Sequence, residues 1–102
     1  MNDLSQRLIK MQRAFNSKQP THQRYRNAMC AATNQLVLSD LTPSIRKALE
    51  QQLVASNNIL QQYPIKTFDD YQIISEQHME KLLGYAKKVY QLLGGSRDNI
   101  LD

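Results

Sequence analysis

Long apolar runs are missing from this chain: none of its 102 residues belongs to a stretch near the roughly 18 consecutive apolar positions that a membrane-spanning helix requires. The opening "MNDLSQRLIKMQRAFNSKQ" also lacks the apolar middle of a secretory signal, so a cytosolic protein is expected. Cysteine occurs once, as Cys30, which excludes an internal disulfide and any CxxC zinc spacing and fits a reducing compartment. There is no glycine-rich phosphate loop, no HExxH and no paired Glu-x-x-His set, and no cofactor is expected. Acidic residues are scarce early on. Residues 1–30 hold Arg7, Lys10, Arg13, Lys18, Arg24 and Arg26 against Asp3 alone, and this accounts for the net charge of +4. Such a bias favours an anionic partner, whether lipid headgroup, nucleic acid or acidic protein, without choosing among them.

What is present is helical periodicity. At 102 residues and 41% hydrophobic, the chain suits one packed domain. Pro20, Pro43 and Pro64 divide it into four segments. In the first, Asp3 can cap a helix with Gln6 answering, and Leu4, Leu8, Met11 and Phe15 form one face as far as Asn16. Thr21 can cap the second, with Tyr25, Met29, Ala32 and Leu36 in register. In the third, Thr42 is an N-cap and Pro43 takes the first helical position, where its missing N–H costs nothing. Ile45, Leu49, Leu53, Ser56, Leu60 and Tyr63 follow until Pro64. In the fourth, Thr67, Asp69 and Asp70 read as a charged N-terminus. Tyr71, Ile74, His78, Leu82, Tyr85, Val89 and Leu92 then continue to Gly94, a helix of roughly 26 residues or about 39 Å. Short connections call for antiparallel neighbours. The expectation is an all-α, up-down-up-down four-helix bundle over residues 1–95 with a short first and a long fourth helix, followed by a tail over residues 96–102.

The fourth helix carries a second stripe, Met79, Leu83, Ala86, Tyr90 and Leu93, so it is either the most buried helix or one with a partner. Gly84 falls on its polar side. His78 reads as a core histidine hydrogen-bonded to a neighbour, with a pH-sensitive or ligand-binding histidine as the rival reading, and His22 as a surface residue. Cys30 reads as a small buried thiol: His22 is about two turns away on the same helix, and no third residue would orient a Cys30–His78 pair. Enzymatic function has little support. "LVLSDLTPSIRKALEQQ" has the outline of a helix-turn-helix, but its second helix offers only Arg46 and Lys47 before Glu50, which leaves weak nucleic-acid binding as an alternative and gives no specific nucleic-acid partner. A helical adaptor or export chaperone would use the broad face of the fourth helix. In the tail, Ile100 and Leu101 return as apolar residues after a polar stretch; they fold back on the helices, form a recognition end with Arg97, or fray.

The layout of "LSQRLIKMQRAF", "SIRKALEQQLVASNNIL" and "FDDYQIISEQHMEKLLGYAKKVYQLLGG", four amphipathic helices and a short tail in a small basic chain, resembles the bacteriocin immunity proteins of Gram-positive bacteria, in particular the enterocin A immunity-like group. That resemblance implies a non-enzymatic protein that protects its own cell from a pore-forming peptide. It would act from the cytosolic side on the peptide's membrane receptor or the receptor–peptide complex, with specificity in its C-terminal half and peripheral contact with the anionic inner leaflet. The residues placed toward a partner are then Lys81, Lys87, Lys88 and Tyr90 on the fourth helix and Arg97, Ile100 and Leu101 in the tail. For the lysines, an ordinary solvated edge is the favoured reading.

Overall fold

A computed structural model describes residues 3–101, with side chains from Leu4 onward, so the cap expected of Asp3 lies outside the described side chains. The chain is all-α. Four helices, α1 (Asp3–Asn16), α2 (Thr21–Thr33), α3 (Pro43–Leu60) and α4 (Glu76–Leu92), are accompanied by short 3₁₀ turns at Leu38–Asp40, Phe68–Ile73 and Arg97–Asn99, and the described residues include no strand. None of the described helices is long and apolar enough to cross a membrane. Helix α2 packs on α1, on α4 and on the Phe68–Ile73 turn, while α3 packs on α4.

Two expected lengths are corrected. The fourth helix has 17 residues, one fewer than α3, and the first has 14, one more than α2. The long fourth helix fails at Ser75. Ile74 is extended (φ −69°, ψ 133°) and buried, and the Ser75 side chain accepts from the backbone N–H of His78 at 3.3 Å, starting a new helix with its own N-cap. Upstream, Asp70 does serve the charged N-terminus expected of it, but for a 3₁₀ turn. Its carboxylate accepts from the backbone N–H of Lys66 (2.7 Å) and Thr67 (2.9 Å), and these bonds hold its pKa below the usual carboxylate value. Thr42 and Pro43 open α3 as expected. Thr21 does not cap α2, which has no side-chain cap; its hydroxyl accepts from Arg24 instead. Helix α3 ends at Leu60, ahead of Pro64, and α2 ends before Leu36.

The core forms where the stripes meet. Met11 and Phe15 of α1, Tyr25, Ala28 and Ala32 of α2, and Leu49 of α3 are buried together with Leu82 and Val89 of α4. The start of each of the first two helices also serves the end of the other. Arg7 donates to the Ala31 and Ala32 carbonyls, both at 2.9 Å, in the last turn of α2. Arg24 donates to the Phe15 carbonyl (3.2 Å) at the end of α1 and to that of Gln19 (3.1 Å) just beyond. The final carbonyls of a helix lack intrahelical donors, and a guanidinium there supplies both hydrogen bonds and charge of the favourable sign. Helices α1 and α2 therefore run antiparallel, and two of the six bases that give the first third its charge are committed to the fold. Arg26 is engaged as well, stacked over the Phe68 ring at 4.9 Å.

Candidate functional site

The end of α4 is shaped by its two glycines. Gly94 has φ +109°, and its N–H donates to the Gln91 carbonyl (3.0 Å), while the N–H of Gly95 reaches back to Tyr90 (2.9 Å). This pair of bonds is the Schellman closure, which places a glycine in the left-handed region. Gly95 is pressed against the Tyr90 ring, with no room for a Cβ. The Ser96 hydroxyl then accepts from the Asp98 N–H (3.3 Å), and a single 3₁₀ turn at Arg97–Asn99 brings Ile100 into the core. Asn16, the last residue of α1, fixes the segment: its Nδ2 donates to the Asn99 carbonyl (2.9 Å), and its Oδ1 accepts from the Leu101 N–H (2.7 Å). One amide side chain thus satisfies a backbone acceptor and a backbone donor two residues apart, as a neighbouring strand would.

The residues placed toward a partner therefore divide. Lys81, Lys88 and Arg97 are exposed, and Leu101 keeps 66% of its surface accessible. Tyr90, Lys87 and Ile100 are buried, which corrects their assignment to a partner surface. Tyr90 meets Phe15 of α1 edge-to-face (centroids 5.9 Å apart, planes at 76°), so this ring is committed to the core and not to solvent. Lys87 follows Ala86 and precedes Val89, both wholly buried, which draws its stem into the interior. The same burial takes Met79, Leu82 and Leu93, which leaves Leu83, Tyr85 and Leu92 as the partly exposed members of that broad face.

His78 is half-buried where the end of α3 meets the start of α4. Its Nδ1 lies 2.6 Å from the Tyr63 hydroxyl, which also accepts from the Ser75 N–H at 3.2 Å. The rings meet at 88°, 5.6 Å apart. Which of the two groups donates is set by the tautomer of the imidazole. The histidine is thereby a positional element of the α3–α4 connection. Tyr63→Phe leaves both the Ser75 N–H and the His78 Nδ1 without this partner and is expected to cost about 1–2 kcal/mol in urea unfolding; an unchanged midpoint would show the cluster to be incidental.

Cys30 is exposed, contrary to expectation, because α2 turns Ala28 and Ala32 inward and a residue midway between them points the other way. His22 is half-buried. The helix-turn-helix outline dissolves: residues 34–42 separate α2 from α3 and contain only a 3₁₀ turn, too long for the tight joint of that motif. Among the described residues no three His, Cys, Asp or Glu side chains gather as metal ligands. Asn16 was not singled out by sequence reasoning; a polar residue closing an apolar helix is the only signal it gives. Comparison with family models, with curated proteins and with solved structures yields no match to this chain.

Proposed function

We propose that this chain is a non-enzymatic immunity protein that protects the cell producing it from a pore-forming antimicrobial peptide. It acts from the cytosolic side by binding the peptide's membrane receptor or the receptor–peptide complex. In this reading the helices form an up-down-up-down antiparallel bundle. Its recognition end is the segment after α4, aided by the exposed Lys81 and Lys88 and by peripheral contact with anionic lipid. The observation that carries the reading is the clamping of residues 96–101. A turn, a helix-ending glycine pair and the Asn16 amide hold the segment that carries exposed Arg97 and Leu101, where a solvated strand of chain would have let both drift. An apolar side chain fixed outward on a segment that also carries an exposed cation suits a membrane-proximal protein surface, and preorganisation lowers the entropic cost of binding it.

The test is expression of the full chain in a sensitive bacterial strain challenged with a panel of pore-forming peptides. Protection against at least one peptide, with the others still lethal, is expected. Killing by every member at the rate of cells lacking the protein would overturn the proposal.

A further inference from the structure

Helices α1 and α2 turn a second pair of stripes outward. Lys10, Arg13 and Ala14 of α1 and Ser17 just beyond its end follow one another at i, i+3, i+4 and i+7, and Asn27, Cys30, Ala31 and Asn34 do the same along α2 and its cap. These two rows line an open groove of about 870 Å³ between the helices. The core faces of the same helices carry Met11, Phe15, Tyr25 and Ala28, so the groove is a separate surface with small residues along its floor. Among the described residues, no acidic one lines it. Among the described residues, neither Lys10 nor Arg13 has a hydrogen-bond or ion-pair partner, whereas Arg7, Arg24 and Arg26 are occupied.

We infer that this groove docks a helix of a partner protein, apolar along its contacting stripe and acidic along its flank. Seven residues of α-helix rise about 10 Å, so the two rows offer a contact about two helical turns long. Rows spaced i, i+3, i+4, i+7 with Ala14 and Ala31 near their centres allow close approach of a third helix, ridge into groove. Charge complementarity selects the acidic helix. Lys10 and Arg13 meet carboxylates there, with no acid among the described residues that line the groove. A lipid bilayer does not fit into a recess whose floor is Ala14 and Ala31. The groove contains no residue of α4 or of the segment after it, so the inference stands apart from the immunity reading.

Cys30, the sole cysteine, lies in the groove and reports its occupancy. The full-length protein is alkylated with a maleimide in the presence of a stapled helical peptide of about 14 residues, alanine and leucine along one stripe and glutamate along the flank. Controls are the same peptide with lysine for glutamate, and phosphatidylglycerol vesicles. The glutamate peptide is expected to slow alkylation about fivefold or more, the lysine peptide to have little effect, and the K10E/R13E variant to reverse that preference. Equal protection by both peptides, protection by neither, or protection by vesicles alone would overturn the inference, the last assigning the face to membrane. The comparison of the two peptides on the unaltered protein decides the matter even if the variant does not fold.

Discussion

Gly95→Ala is expected to lower the melting temperature by about 15 °C, the effect of roughly 3 kcal/mol on a domain of this size. An added Cβ would overlap the Tyr90 ring. That ring cannot retreat: it is 1% exposed and held edge-to-face by Phe15. Gly84→Ala is the matched control. Nothing lies within 4 Å of a Cβ there, and exchanging an exposed mid-helix glycine should raise stability by about 1 kcal/mol. Removing the ring isolates the cause. Tyr90→Ala alone should cost about 3–5 kcal/mol, and Gly95→Ala added to it should cost far less than on its own, a coupling readable from a double-mutant cycle. Additive losses would mean that Gly95 is required for some reason other than its contact with Tyr90.

Alkaline unfolding is the second large effect. The Tyr25 phenol is buried beside Ser56, and burial pushes its pKa from 10.0 up to about 12, with Ser56 pulling it down and the nearby Tyr71 raising it further. Because the folded-state value is raised, the unfolded chain releases the proton first. The stability this tyrosine contributes is whole below pH 10 and is lost as pH climbs toward 12. The unfolding free energy should fall by about 2 kcal/mol across that interval, and the fall should be clearly shallower in Tyr25→Phe. Urea titrations of both proteins along the interval measure the slopes; identical slopes would remove Tyr25 as the source.

Most of the helical content was legible because each stripe recurs at helical spacing and Thr42–Pro43 and Gly94 are strong end signals. The break before α4 was hidden by that same periodicity. Tyr71, Ile74, His78 and Leu82 keep spacings of three and four across it, so apolar register continues although the backbone does not. Two adjacent β-branched isoleucines followed by Ser75 and Glu76 were the readable warning, a poor helical pair next to a good N-cap and an acid. The charge bias was plain in the sequence and its use was not, since whether Arg7 faces an anionic partner or the last carbonyls of α2 depends on how two helices lie together. For the candidate site, Ile100 and Leu101 stood out equally. Only the turn at Arg97–Asn99 and the Asn16 clamp send one inward and the other outward.

That division determines how the recognition end is best tested. Deleting the segment after Gly95 would strip buried Ile100 from the core, confusing stability with function, whereas Arg97 and Leu101 are exposed and their replacement leaves Ile100 in place. The decisive measurement is protection of sensitive cells by R97E/L101D against the peptide the unaltered protein resists, with thermal melting of the purified variant alongside. The expected result is a melting temperature within a few degrees of the parent and loss of protection, as a reversed charge and a carboxylate at the fixed recognition end would oppose a membrane-proximal partner. Undiminished protection by a fully folded variant would contradict the account and move recognition away from residues 96–101.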